Sequence, residues 1–264
     1  VDLSVTLAAA GAVLFAMSLL WLVSLAVRDA SIVDITWGPL FVLISWVAYA
    51  VGDGSAPALL IAVLATAWGL RLGFHIGRRN IGHGEDPRYV RMREKRPRQF
   101  WLWSLFAVFI FQGLIALVVS LPIQSLAAVG NDTIGLVSWV GAAVFAIGLA
   151  FEAVGDAQLS RFKADPASRG QVMDRGLWRY TRHPNYFGDS VVWWGLWLLA
   201  VGSGAAWWTL VGPALMTFML VKVSGVAMTE ADIATRRPGY ADYIRRTSAF
   251  VPMPPRKPGE PASP

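Results

Sequence analysis

PALLIAVLATAWGLRLGFHIG, residues 57–77, runs directly into RRNIGHGEDPRYVRMREKRPRQ, residues 78–99, and this junction decides the architecture. The first stretch is apolar and about as long as a helix must be to cross a bilayer core of roughly 30 Å. The second carries eight Lys and Arg among its 22 residues. An apolar run closed by a basic cluster marks a membrane span with that end in the cytoplasm. The pattern repeats in both directions. Apolar runs lie near 3–27, 34–52, 57–77, 100–121, 134–154, 186–203 and 205–226. Arg28 follows the first, Arg161 to Arg182 follow the fifth, and Lys222 ends the seventh. The alternate connections 53–56, 122–133 and 202–204 contain no Lys or Arg. The expectation is an all-α, polytopic membrane protein of seven transmembrane helices. Its N-terminus lies outside and its C-terminus in the cytoplasm.

Composition agrees. The chain is 55% hydrophobic and only 15% charged, with 13 Trp, against about 25% charged residues in an average soluble domain. The net charge of +6 belongs to loops that face anionic headgroups, so no nucleic-acid partner is expected. With no cysteine there is no disulfide framework and no thiolate chemistry. No metal site is expected. The first run is too long for a signal peptide and has its positive charge after it rather than before. Gly38, Pro39, Gly69 and Gly73 predict kinks in the second and third spans.

One membrane domain is expected over 1–252, with cytoplasmic segments 78–99, 155–185 and 227–252 and a disordered Pro-rich tail over 253–264. The chemistry is dense in those three segments. In the first, Glu85-Asp86-Pro87-Arg88-Tyr89 mixes acids with an aromatic, which a purely topogenic loop does not need. Arg71 and His75 lie one turn apart just inside the membrane, facing a protein interior or else snorkelling to the surface. In the second, Glu152 and Asp156 lie one turn apart near a helix C-terminus, where the macrodipole disfavours acids. Pro184 and Asn185 are ordinary helix-start residues. Asp189 is an acid within a membrane run, which makes it a candidate site residue. In the third, Tyr240 and Tyr243 flank Asp242, either as an interfacial anchor or as part of a site. A transporter is disfavoured, because polar groups gather at one membrane face instead of tracing a path across.

The motifs SIVDITWG (31–38), WGLRLGFHIGRR (68–79), GEDPRY (84–89), GLWRYTRHPNYFGDSVVWWG (176–195) and RRPGYADYIRRTSAFVP (236–252) carry a resemblance. They resemble the membrane superfamily of steroid 5-alpha-reductases and isoprenylcysteine carboxyl methyltransferases. Within it, nearly all of residues 28–252 looks like the bacterial branch called DUF1295. The seven-run layout, the Asp156-to-Lys163 spacing and the Asn185/Asp189 pair favour the reductase side. The resemblance implies an integral protein of a bacterial inner membrane. It implies NADPH as cofactor and a lipid or steroid substrate that enters from the bilayer, among membrane lipids.

The implied activity is hydride transfer to the carbon–carbon double bond of an enone lipid, of the 3-oxo-5-alpha-steroid 4-dehydrogenase type. The cofactor supplies the hydride. No glycine-rich Rossmann fingerprint is present, so arginines must hold the phosphates. Arg71, Arg78, Arg79, Lys163, Arg175, Arg179, Arg182 and Arg246 are the candidates. Tyr180, His183 and Glu230 belong to the same cofactor set. The resemblance places Asn185 and Asp189 near the nicotinamide amide. It gives Asp156 a share in holding the cofactor and has Tyr240 and Tyr243 close over it. The related reductases use a Gln-Glu pair on the second helix and a Tyr on a later one. Here Asp34 occupies that region without a preceding Gln. Asp34 is therefore the expected catalytic acid, with Tyr89 as partner, and helix capping is its other role. A methyltransferase using S-adenosylmethionine shares His183-Pro184, Tyr186, Gly188 and Glu230 and is the alternative.

Overall fold

A computed structural model describes residues 2–223 and 239–256. Every named element among them is helical, and the one β-bridge joins Thr181 to Ser248. In chain order they are α1 Leu3–Val27, α2 Ile32–Val51, α3 Ala56–Asn80, α4 Pro87–Lys95, α5 Phe100–Val119 and α6 Leu121–Leu126. Then follow α7 Leu136–Ala164, α8 Pro184–Gly202, α9 Trp207–Val223 and α10 Tyr240–Arg246. Five of these are long and apolar enough to cross a membrane: α1, α2, α3, α5 and α7. That makes the chain an integral membrane protein. The sixth expected run forms α8, 19 residues that open with Pro184, Asn185, Asp189 and Ser190. The seventh forms α9, a shorter apolar helix that starts in a 3-10 turn at Trp207–Leu210 and ends in a π segment at Met219–Val223. Neither is among the five.

The chain divides into two compact units, residues 1–139 with 197–212, and residues 140–196 with 213–264. In the first unit, α2 and α3 run unbroken through Pro39, Gly69 and Gly73. The glycines expected to kink these helices lie at a close contact between them. A Cβ on Gly38 would overlap the Gly69 carbonyl, and one on Gly69 would lie 2.5 Å from the Gly38 carbonyl oxygen. Small residues let membrane helices approach backbone to backbone, where lipid supplies no hydrophobic drive. At one end of this unit, Asp53 N–H donates to the Ala127 carbonyl at 2.8 Å and Ala56 N–H donates to Asp132 at 3.1 Å. At the other end lies the basic segment, of which α4 is the ordered part. Asp86 caps α4 by accepting from the Arg88 N–H, and Pro87 opens it.

The second unit rests on a similarly close crossing of α7 and α8. A Cβ on Gly188 would overlap the Glu152 amide, and one on Gly148 would meet the Val192 amide nitrogen at 2.6 Å. Helix α7 runs on to Ala164, so Asp156 and Lys163 lie on its last turns rather than in a loop. Beyond α10 the chain doubles back. Met253 N–H donates to the Tyr180 carbonyl at 2.9 Å and Arg256 N–H to the Arg246 carbonyl at 2.9 Å. That part of the tail is therefore tied down.

Candidate functional site

In the first unit, the α2 start, α4 and α5 bring together a small polar cluster. Asp34 lies in the first turn of α2, where the helix dipole favours an acid. Its side chain does not cap the helix; Ser31 holds that position without a side-chain bond. Instead both Asp34 oxygens accept from outside α2. The Tyr89 hydroxyl donates to Oδ1 at 2.7 Å and the Arg88 guanidinium to Oδ2 at 2.6 Å. Arg88 also donates to Asp86 at 2.9 and 3.1 Å. Asp86 N–H reaches Ser31 Oγ at 3.3 Å, and Ala30 N–H donates to Glu85 at 2.8 Å. Glu85 is paired in turn with Arg93 at 2.8 Å. Gln112 of α5 lies near the Tyr89 hydroxyl.

The electrostatics follow from those contacts. Burial raises the Tyr89 phenol well above the usual tyrosine value, and the nearby Asp34 charge adds to it. Burial works against the Arg88 charge, but the Asp86 hydrogen bond and the Asp34 and Asp86 charges outweigh it, and its pKa rises. Burial also opposes the Asp86 charge, yet the Arg88 hydrogen bonds hold that carboxyl below its ordinary 3.8. Sequence reasoning paired Asp34 with Tyr89 but missed Arg88, Asp86 and Gln112. The signal for Gln112 was present: with Ser104 it is one of two polar residues in α5, and a lone amide in a membrane run is costly unless bonded.

The other expected residues of this unit lie on α3. Arg71 and His75 are half-buried, one turn apart. Arg78 and Arg79 are exposed in its last turn, and Arg79 donates to the Asn80 side chain at 3.0 Å.

The second unit assembles the remaining residues. Glu152 and Asp156 on α7 are buried at 2% and 6% exposure, as are His183 at 3% and Asp189 at 7%. Asn185 precedes Asp189 by one turn of α8 and lies against Gly155 of α7, where an added Cβ would sit 3.2 Å from the Asn185 backbone nitrogen. The Asn185 side-chain Oδ1 is buried with no hydrogen-bond partner among the described residues. His183 stacks on Tyr186 with ring centroids 5.3 Å apart.

Segment 176–183 is clamped to α10 and the residues after it. The Arg182 guanidinium donates to the Ile244 carbonyl at 3.1 Å and to the Thr247 carbonyl, capping the C-terminus of α10. The Tyr243 hydroxyl donates to the Trp178 carbonyl. Burial, and then the neighbouring Tyr240, raise that phenol above its usual value. Arg246 pairs with Asp174 at 2.7 Å. So Arg182, Tyr243 and Arg246, expected to face a cofactor, have protein partners here. Lys163, Arg175, Arg179 and Tyr180 are exposed. Glu230 lies outside the described residues.

Comparison with known proteins gives a consistent picture. A protein of the yeast Schizosaccharomyces pombe, described as "Uncharacterized protein C594.04c", is 28% identical over 272 residues, covering 89% of this chain and 76% of the yeast one. No solved structure matches the chain. The profile of the family described as "Protein of unknown function (DUF1295)" matches residues 20–247, which contain both polar clusters. The chain belongs to the DUF1295 family.

Proposed function

We propose that this protein is an NADPH-dependent membrane reductase of an enone lipid, a 3-keto steroid or related isoprenoid, of the 3-oxo-5-alpha-steroid 4-dehydrogenase type. The observation that carries the reading is the buried Oδ1 of Asn185, which has no hydrogen-bond partner among the described residues. A buried acceptor without a donor costs about 1–3 kcal/mol. The carboxamide NH2 of a nicotinamide is a donor of the right kind to relieve it. Asp189 lies one turn along the same helix, and Asp156 lies on α7. The exposed Lys163, Arg175 and Arg179 are suited to phosphates.

Bound NADPH would supply a hydride. This chain's own contribution on the carbonyl side is to polarise the ketone oxygen. Asp34 was the expected acid, yet both its oxygens accept hydrogen bonds. The proton in reach is therefore the one on Tyr89, whose hydroxyl would turn from Asp34 to the substrate oxygen while Arg88 continues to hold Asp34. A Tyr89 proton passed to the ketone oxygen would neutralise the charge that reduction of the double bond develops there, and solvent would reprotonate the phenolate. The resulting enol relaxes to the saturated ketone by taking a proton on the α-carbon and losing the one on oxygen.

Calorimetry on detergent-purified protein tests the cofactor half. Asn185→Ala and Asp189→Ala should weaken NADPH binding about 10- to 150-fold, the loss of one hydrogen bond to a buried or charged group. Wild-type NADPH affinity in both variants, with S-adenosylmethionine competing for the site, would hand the protein to the methyltransferase reading. That reading draws on the same buried His183 and its stack on Tyr186.

A further inference from the structure

The polar cluster of the first unit has a register. Ala30 N–H donates to Glu85 Oε1 at 2.8 Å, and Asp86 N–H donates to Ser31 Oγ at 3.3 Å. Tyr89 donates to Asp34 at 2.7 Å. In each of these pairs the partners stand 55 residues apart. Segment 85–89 therefore runs beside 30–34 in the same direction, residue for residue. Both segments are helix starts, α2 at Ile32 and α4 at Pro87. Two positive dipole ends lie together there, each equivalent to about half a unit charge. Asp34, Glu85 and Asp86 are the carboxylates that make such a pairing favourable.

A slip by one residue would end the match. A helix turns about 100° per residue, so the slip carries the Tyr89 side chain away from Asp34. The chain entering the segment does not prevent it. Gly82 and Gly84 are exposed, adopt left-handed backbone at φ 85° and 78°, and a Cβ on either would meet nothing within 4 Å. Arg88 and Tyr89 reach Asp34 through side chains that can rotate. Glu85, by contrast, grips the main chain. Its side chain is 10% exposed, and both its oxygens are engaged. Oε1 accepts from the Ala30 N–H and from Arg93 Nη2 at 2.8 Å each, and Oε2 accepts from Arg93 Nε at 3.1 Å. That forked pair with Arg93 adds geometric specificity. Arg93 lies over the Phe100 ring, 4.3 Å from its centroid, and the buried Phe100 opens α5. Glu85 is thus tied on one side to the turn before α2 and on the other to the start of a membrane span.

We propose that Glu85 is a positioning residue: by holding the Ala30 N–H and Arg93 together it sets the register that brings Tyr89 to Asp34, and so to a substrate carbonyl. The proposal rests on the reductase reading for what Tyr89 does, but the register itself is tested without turnover. Glu85 touches no reacting atom; it acts only through the placement of Tyr89.

The test places 3,5-difluorotyrosine, a more acidic phenol, at position 89 of the full chain in detergent and follows its titration by fluorine NMR. Burial and the Asp34 charge both hold the Tyr89 proton, so losing the register lowers the midpoint. Glu85→Asp keeps the charge but is one methylene too short to hold Ala30 and Arg93 at once. Its midpoint should fall by about one to two pH units, the loss of a hydrogen bond to a charged group. Glu85→Gln removes the charge but keeps an oxygen for the Ala30 N–H, and its midpoint should stay at the wild-type value. Simple removal of a nearby negative charge predicts the opposite order. Ser31→Ala removes the Asp86 contact without changing any charge and should lower the midpoint in the same direction as Glu85→Asp. Unchanged midpoints in both Glu85→Asp and Ser31→Ala overturn the proposal, as does a Glu85→Gln midpoint that falls as far as that of Glu85→Asp. The expected order in a protein that never oxidises NADPH keeps the register and removes the reductase reading. Unchanged midpoints with normal NADPH oxidation do the reverse.

Discussion

Replacing Arg88 by Met takes one guanidinium away from two carboxylates at once, Asp34 at 2.6 Å and Asp86 at 2.9 Å. An exposed ion pair contributes about 0.2–1 kcal/mol. Removing one partner of a fully buried pair costs about 3–5 kcal/mol. The Arg88 and Asp34 side chains are 31% and 18% exposed, so solvent screens part of the interaction and the value falls between those limits. About 2–3 kcal/mol is expected for Arg88→Met, and about 1–2 kcal/mol for the coupling between Arg88 and Asp34. At about 2–4 °C per kcal/mol for a chain of this size, the single variant should melt about 4–12 °C lower. The assay is a double-mutant cycle of thermal unfolding in one detergent: wild type, Arg88→Met, Asp34→Asn and the double variant. In Asp34→Asn the Tyr89 hydroxyl can still donate to the side-chain carbonyl of the new amide, so the cycle isolates the charge pair. Independent sites add to within about 0.3–0.5 kcal/mol. A coupling inside that band would mean that Arg88 does not orient Asp34, and the assignment of the proton to Tyr89 would lose its basis.

Three further outcomes follow from the geometry. Gly188→Ala puts a methyl against the Glu152 amide; it should cost about 1–3 kcal/mol by forcing α7 and α8 apart, seen as a lower melting midpoint together with weakened NADPH binding. Asp86 is held below its ordinary 3.8, so its contribution is complete above that value and disappears as pH falls through the lowered one; the stability gap between wild type and Asp86→Asn should stay constant at neutral pH and shrink below about pH 4, and a gap flat to acid would contradict the pairing. With no native cysteine, Asp132→Cys should react with an impermeant thiol reagent from outside intact cells and Glu94→Cys should not; the reverse pattern would invert the topology.

Apolar length and basic punctuation made the five spanning helices legible, because lipid requires about 20 apolar residues per helix whatever the tertiary fold. The two remaining runs were harder to read. Helix α8 carries Asn185, Asp189 and Ser190 in its first turns, and α9 begins in a 3-10 turn. The glycines of α2 and α3 were visible, but that they lie at a close contact depends on the partner helix, which the sequence does not name. For the site, GEDPRY and RHPNY marked the right segments. They could not say that Arg182 would cap α10, or that Arg246 would pair with Asp174, because those partners lie more than 60 residues away in the chain.

The clamp on segment 176–183 also imposes an order in time. Thr181 and Arg182 obtain their partners from Ser248, Phe250, Ile244 and Thr247, and Tyr180 obtains its partner from Met253. A ribosome making about 5–20 residues per second needs about 4–14 s to travel from one set to the other. Throughout that interval all five long apolar helices are already made while the motif ahead of α8 is unfinished. The protein therefore inserts before it is competent, and a nascent or prematurely terminated chain lacks a complete second unit even with every long span in place.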